Sequence, residues 1–209
     1  MNIRIVSYKD FSLQLWSTIA LAHIEALPWT INSIAGEKHL KQLYKLTNEC
    51  AFGETIVLTI EDDLAAALTT SGSYKLPRGL VFQLVKGLLT SFPKVLVWEY
   101  LSLIIDMLQV NNYYRKQDLN STRILTLFVL PKYQNRGLAK TIIKQALTSI
   151  SHPNSTVVFV DVNKDSNIAI KTYSSFGFYK SHETTKSIIM KKDLLETNQI
   201  NEEPEESFV

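Results

Sequence analysis

The sequence predicts one sheet-and-helix domain of the α/β or α+β class. Segments with the two-residue period of strands alternate with segments of helical period along most of the chain. Of the 209 residues, 45% are hydrophobic and 20% are charged, as in average globular proteins, which excludes a disordered, collagen-like or coiled-coil chain. The single cysteine, Cys50, excludes an internal disulfide framework and a cysteine-based zinc cluster.

The first 70 residues predict a strand, two helices and a β-hairpin. The predicted elements are, in order, a strand at 2–7, helices at 10–26 and 33–49, and strands at 55–60 and 64–69. The run Leu64–Leu68 has the propensity of a helix, but the acidic turn before it is short, so we assign it to the second strand of the hairpin.

Residues 76–110 are the most apolar part of the chain. A membrane-spanning helix needs about 20 predominantly apolar residues with few charges. Five charged residues interrupt this segment and Pro93 divides it, so we predict two amphipathic helices and no membrane span. With the polar loop at 111–120, we treat residues 76–118 as an apolar helical insertion.

The charge is distributed unevenly along the chain. All 22 Lys and Arg residues precede Asp193, together with 14 of the 20 Asp and Glu residues, so this body carries a net charge of +8. Such a body suits a polyanionic ligand, such as a nucleotide cofactor, or is ordinary surface scatter. Residues 193–209 are predicted to form an acidic, disordered tail. The N-terminus lacks the apolar core of a signal peptide, so we expect a reduced, cytoplasmic protein.

The second half of the chain contains the segments that carry chemistry. Its predicted elements are a strand at Arg123–Leu130, a helix at Arg136–Ile150, a strand at Val157–Val162, a helix at Ser166–Phe176 and one or two strands within 178–190.

The loop between the first of these strands and its helix predicts an anion site. Backbone N–H groups in the first turn of a helix have no intrahelical partners, and the helix dipole adds positive charge there. Phosphate oxygens suit such a site, and Gly137 leaves room for them to approach the backbone. A strand, a small residue and a helix are a weak signal by themselves, so an ordinary connection without a ligand is the alternative. The chain has neither the dinucleotide motif G-x-G-x-x-G nor the P-loop motif for a nucleoside triphosphate.

Two linked motifs make the prediction specific. The run 134–139, QNRGLA, resembles the acetyl-CoA signature Q/R-x-x-G-x-G/A of the GNAT acetyltransferase superfamily. The run 167–178, NIAIKTYSSFGF, resembles the N-x-x-A-x-x-x-Y-x-x-x-G-F segment of the same superfamily. The motif places its asparagine three residues before the alanine, where this chain has Ser166, with Asn167 one place later.

The resemblance implies the fold and the cofactor contacts. It implies an α+β domain over residues 1–192, with a mixed, mostly antiparallel twisted sheet flanked by helices and acetyl-CoA as the co-substrate. Pantetheine would lie in a V-shaped opening between the strands at 124–130 and 156–162, and the pyrophosphate would lie on the loop at 134–140. The implied contacts are the main chain of Leu127, Phe128 and Val129, the loop residues Gln134, Asn135, Arg136, Gly137, Leu138, Ala139 and Lys140, and Ser166 and Asn167.

The resemblance also nominates the residues of the reaction. Tyr173 stands at the motif tyrosine and would protonate the leaving thiol, or would only pack and bind the sulfur. Asp161 closes the strand that faces the acceptor and is the candidate base, with a loop or capping carboxylate as the alternative. The four histidines share no metal-ligand spacing, so no metal is predicted.

The predicted function is N-acetyl transfer from acetyl-CoA to a primary amine of a small molecule or peptide. A non-catalytic module that binds CoA, or an interaction protein that docks through the insertion, are the alternatives. We expect the insertion to cover the acceptor pocket or to form a homodimer contact, because so much apolar surface is unfavourable in water. Nothing in the sequence predicts a nucleic-acid partner.

Overall fold

One seven-stranded sheet organises the chain. The computed structural model describes residues 3–8, 13–49, 53–72, 97–117, 121–150 and 156–194. Its strands are β1 (Ile3–Tyr8), β2 (Glu54–Ile60), β3 (Asp63–Ser71), β4 (Ser121–Val129), β5 (Val157–Asn163), β6 (Tyr179–Glu183) and β7 (Ser187–Asp193). Its α-helices are α1 (Leu13–Ala26), α2 (Ile31–Ile34), α3 (Glu37–Glu49), α4 (Val97–Tyr114), α5 (Leu138–Ile150) and α6 (Asn167–Ser174).

The sheet has the order β1-β2-β3-β4-β5-β7-β6. Every neighbouring pair is antiparallel except β4 and β5, which are parallel. Short turns connect the antiparallel hairpins, whereas the parallel pair needs the long crossover that α5 provides. The predicted α+β class with a mixed, mostly antiparallel sheet is therefore confirmed.

Helices cover both faces of the sheet because the central strands are buried on both sides. Along β2, the side chains of Ile56 and Leu58 pack on the face covered by α5, while that of Val57 between them packs against α1 and α3. On β5, the side chain of Val158 lies on the α5 face and that of Phe159 packs against α4. Thus α1, α3 and α4 share one face of the sheet, and α5 covers the other.

Three local predictions needed correction. The helix predicted at 33–49 is interrupted, because Gly36 takes a positive φ of 89° between α2 and α3. The loop predicted at 111–120 begins later, because α4 continues to Tyr114, whose ring packs edge-to-face on Phe159. Asp193, predicted to begin the tail, is the last residue of β7.

The predictions for the β-hairpin, the apolar insertion and the tail differ in how far the described residues reach them. The run Leu64–Leu68 is a strand, as predicted, since the alanines of this central strand are fully buried between the two helical layers. The first helix of the predicted insertion and the tail from residue 195 lie outside the described residues. Among the helices that are described, none is long and apolar enough to cross a membrane.

The second helix of the insertion leaves an apolar stripe on its outer side. Leu101, Ile105 and Leu108 follow one another at helical spacing on α4 and are 41%, 49% and 55% exposed. The opposite side of the helix, which includes Asp106 and Val110, is buried against the sheet. The predicted homodimer or pocket-covering role of this insertion stays a prediction.

A buried histidine lies between α1, α3 and the sheet. His23 is 1% exposed, and its Nδ1 lies 2.5 Å from the hydroxyl oxygen of Tyr44, which is also buried. Burial, with a smaller contribution from the nearby His39, lowers the pKa of His23 to about 4. Burial also lowers the pKa of His39. Both rings are therefore neutral in the folded protein at neutral pH.

We predict that this burial makes the protein acid-sensitive. An unfolded histidine has a pKa of about 6.5, so between pH 6.5 and 4 the unfolded chain binds protons that folded His23 does not. The free energy of unfolding should fall over this window by roughly 3 kcal/mol from His23. Urea denaturation at pH 7.5 and 4.5 measures the change.

Two variants test the assignment. His23→Gln should lose most of the pH dependence, whereas His182→Gln, at an exposed position on β6, should keep it. Equal pH dependence in His23→Gln and the parent protein would contradict the prediction.

Candidate active site

An opening lies between the two parallel strands in the middle of the sheet. β4 and β5 pair only from Ser121 and Val157 to Ile124 and Val160. Beyond that point β5 continues to pair with β7, and β4 continues to pair with β3. The strands therefore separate toward their carboxyl ends, and their facing edges have no strand between them.

A bulge marks the point of separation. On β3, the consecutive residues Thr69 and Thr70 pair with Thr126 and Ile124, so Leu125 is one extra residue on β4. A bulge bends its strand and increases the local twist. It therefore turns β4 away from β5 directly after their last shared pair.

The backbone of β4 beyond the bulge is available on the side of the opening. The N–H of Leu130 donates to the carbonyl of Ala65 on β3 at 2.9 Å. Because backbone groups alternate along a strand, those of Phe128 also point to β3, while those of Leu127 and Val129 point into the opening. The carbonyl of Val129 accepts a hydrogen bond from Nε2 of Gln134 at 3.1 Å.

This alternation distinguishes the three predicted main-chain contacts, which stay predictions. Leu127 and Val129 present main-chain groups to the opening, as the predicted pantetheine contact requires. The main chain of Phe128 faces β3 instead. Its side chain is buried, and the centre of its ring lies 5.5 Å from the centre of the His23 ring. Its role is to pack α1 onto the sheet.

The loop after β4 has the backbone conformation of an anion site. A 3₁₀ turn at Pro131–Tyr133 leads into it, and Asn135 and Gly137 take positive φ angles of 61° and 76°. α5 starts at Leu138, and its first backbone bond runs from the N–H of Thr141 to the carbonyl of Gly137 at 3.1 Å. The N–H groups of the intervening turn therefore have no intrahelical acceptors.

The space in front of this loop is open. A Cβ added at Gly137 would meet no protein atom within 4 Å. Arg136 and Lys140 are exposed beside it, and the Arg136 guanidinium lies 5.6 Å from the centre of the Tyr133 ring. Ala139 is small and partly buried, and Leu138 is buried in the core. The predicted residues Gln134–Gly137 thus form an exposed turn next to the end of β4, and Leu138–Lys140 form the start of α5.

The second motif lies beside the carboxyl end of β5. Ser166 precedes α6 and its side chain makes no capping hydrogen bond, and Asn167 is the exposed first residue of that helix. Tyr173, near the end of α6, is 5% exposed and packs edge-to-face on Phe178. Burial, and secondarily the negative charge of Asp161, raises the pKa of Tyr173. Its hydroxyl is therefore protonated at neutral pH.

Asp161 lies one residue beyond the last β4–β5 pair and is ion-paired. Its Oδ1 accepts from Nε and Nη2 of Arg123 at 2.8 and 2.7 Å. The hydroxyl of Tyr114 donates to the same oxygen at 3.4 Å. The guanidinium of Arg123 thus occupies Oδ1 of Asp161 with two donors. The predicted role of Asp161 as the base stays a prediction.

Arg123 and Tyr114 belong to no motif in the sequence, yet the structure places both at Asp161. Arg123 opens the apolar run of β4, and a charged residue in such a run is a signal that a buried partner is required. The partner, Asp161, is 38 residues away, and Tyr114 comes from the insertion. Only the fold brings these three residues together.

Comparisons with known proteins bear on the domain and the fold. Residues 106–188 match the sequence model of the acetyltransferase (GNAT) domain. No curated protein sequence matches the chain.

Solved structures share the fold at low sequence identity. The ribosomal-protein-S18-alanine N-acetyltransferase of Escherichia coli is 14% identical, with 100% of both chains covered and a TM-score of 0.56. The PaiA N-acetyltransferase of Thermoplasma acidophilum, in complex with coenzyme A, is 13% identical, covering 93% of this chain and 100% of that one, with a TM-score of 0.58. A GNAT family acetyltransferase of Elizabethkingia anophelis with acetyl-CoA bound is 13% identical, covering 92% and 99%, with a TM-score of 0.53.

The domain match spans α4 to β7, and therefore includes the opening, the anion loop and α6. The structural likeness extends over the rest of the sheet. Residues 106–188 are therefore similar to the acetyltransferase (GNAT) domain, and the chain shares its fold with the N-acetyltransferases named above.

Proposed function

We propose that the protein transfers the acetyl group of acetyl-CoA to a primary amine. The observation that carries this proposal is the opening between β4 and β5, which leads directly to the loop at 134–140. Proteins of the same fold have been crystallised with coenzyme A and with acetyl-CoA. The amide groups of pantetheine can bond to the main-chain groups of Leu127 and to the N–H of Val129, as an added strand would.

The loop supplies the second part of the cofactor site. The N–H groups at the start of α5 point toward the open space beside Gly137, where a pyrophosphate can accept their hydrogen bonds. Arg136 and Lys140 add positive charge at the same place. The described residues thus fit the two polar parts of the cofactor with backbone donors in the strand and in the loop.

Tyr173 serves the leaving group in this proposal. Its hydroxyl is protonated at neutral pH, and it can donate to the sulfur as negative charge develops there. The main-chain N–H of Val129, on the side of the opening, would polarise the thioester carbonyl. The acceptor attacks as a neutral amine, so its proton must leave to water or to a protein base.

The first prediction concerns cofactor binding. Acetyl-CoA at about 100 times its dissociation constant should stabilise the protein by roughly 2.7 kcal/mol, because it binds only the folded state. For a chain of this size, the midpoint temperature of thermal denaturation should rise by several degrees. Dephospho-CoA and free pantetheine are useful comparisons, since pantetheine lacks the pyrophosphate that the loop would hold. No shift at millimolar acetyl-CoA would contradict the cofactor assignment.

The second prediction concerns the loop. Gly137→Val places a branched side chain in the space reserved for the pyrophosphate, so the dissociation constant of CoA should rise by about 100-fold or more. The variant should also lose about 1–2 kcal/mol of stability, because Gly137 has a positive φ. Isothermal titration calorimetry with CoA measures the affinity.

Gly36→Val is the matched control for this experiment. Gly36 also has a positive φ, and a Cβ there would also meet no protein atom within 4 Å, but it lies between α2 and α3. It should lose similar stability and keep CoA affinity. Equal CoA affinity in both variants would mean that the loop is an ordinary connection.

The third prediction concerns Tyr173. Tyr173→Phe removes only the hydroxyl, so the edge-to-face packing on Phe178 should survive. If the hydroxyl protonates the thiolate, kcat should fall by about 10²–10⁴-fold while acetyl-CoA still binds. Steady-state kinetics with a panel of amines measures both parameters. An unchanged kcat with a raised KM for acetyl-CoA would show that Tyr173 only positions the sulfur.

A further inference from the structure

The vertex of the opening is held by a cluster of three side chains. The last pair between β4 and β5 joins Ile124 to Val160. Arg123 precedes Ile124 on β4, and Asp161 follows Val160 on β5. Nε and Nη2 of Arg123 both donate to Oδ1 of Asp161. The ion pair therefore joins the two strands at the position where their backbone hydrogen bonds stop.

The third member of the cluster comes from α4. The ring of Tyr114 lies under the guanidinium of Arg123, with 4.3 Å from Cζ to the ring centre. Its hydroxyl also donates to Asp161, and the residue is 1% exposed. A guanidinium over an aromatic face is attracted by the ring, most strongly where water is excluded.

α4 is itself fastened to the sheet at a second point. Asp106, two helical turns before Tyr114, accepts hydrogen bonds from the hydroxyls of Thr184 and Ser187 at 2.5 and 2.6 Å and from the N–H of Lys186 at 2.6 Å. Thr184 and Lys186 belong to the turn between β6 and β7, and Ser187 is the first residue of β7. Both ends of the segment Asp106–Tyr114 are therefore bonded to the sheet, so the Tyr114 ring has a defined position.

We propose that Arg123, Asp161 and Tyr114 form a positioning clamp that sets the separation of β4 and β5 at the vertex of the cofactor opening. This inference rests on the proposed function and goes beyond it, because it gives Asp161 a role other than proton transfer. The clamp acts on the backbone groups of Leu127 and Val129, which lie a few residues beyond it on β4. Its loss should affect acetyl-CoA binding before it affects the chemical step.

The charge balance of the cluster predicts how variants behave. Asp161→Asn leaves the half-buried guanidinium of Arg123 without its counter-ion, and Arg123→Met leaves the half-buried carboxylate of Asp161 without its cation. Each single change should raise the KM for acetyl-CoA about tenfold and keep kcat within about threefold. The double variant Arg123→Met/Asp161→Leu buries no charge, and should raise the KM by much less than the product of the two single effects.

The experiment compares these three variants with the parent protein and with Lys41→Met. The control breaks an exposed ion pair between Lys41 and Glu37 on α3, away from the opening, and should leave both parameters unchanged. Thermal denaturation of each protein, with and without CoA, reports folding and binding separately. If a single variant folds poorly, the double variant decides alone because it carries no unpaired charge: a raised KM for acetyl-CoA with kcat within about threefold supports the clamp, and an unchanged KM overturns it.

Three results would overturn the clamp. In the first, Asp161→Asn lowers kcat by 100-fold or more with an unchanged KM, while Arg123→Met does not lower kcat. That result would identify Asp161 as the base. Another is a double variant whose effect equals the product of the single effects. The third is an unchanged KM in all three variants. Failure of the proposed function is distinct, because the parent protein would then show no stabilisation by CoA.

Discussion

The bulge on β4 is the constraint on which the site depends. Leu125 is one extra residue opposite β3, and it lies immediately after Ile124, the last residue of β4 that pairs with β5. Because β4 must stay bonded to β3 and β5 to β7, the two strands cannot close the space between them. A sheet that paired fully here would bury the backbone groups of Leu127 and Val129 and leave no slot for an extended ligand.

The helical layers support this open sheet from both faces. α5 covers one face and begins at the loop that carries Gly137, so the same helix fills the core and presents its N–H groups at its start. On the other face, α1 and α3 pack beneath β2–β4, while α4 packs beneath β5 and β7. The two groups of helices therefore flank the opening, and the side chains of Arg123 and Asp161 lie between them.

Burial and charge act together at the two tyrosines of the site. Tyr173 and Tyr114 are both buried, and the carboxylate of Asp161 raises the pKa of each in addition to desolvation. Arg123 opposes this effect at Tyr114, because its positive charge favours the ionised phenol. A single carboxylate thus interacts with the residue proposed to serve the leaving group and with the residue that packs α4 onto the vertex.

Sequence alone determined much of the second half of the molecule. The alternation of strand and helix, the glycine at the start of α5 and the tyrosine of α6 are local patterns, because their spacing follows from the geometry of single elements. Tertiary structure alone decided the rest. The bulge depends on the register with β3, the exclusion of Phe128 depends on which edge of β4 faces β5, and the extension of α4 to Tyr114 depends on packing against Phe159. The Arg123–Asp161 pair shows the reason most clearly: its two charges are 38 residues apart in sequence, and they become partners only when β4 and β5 lie side by side.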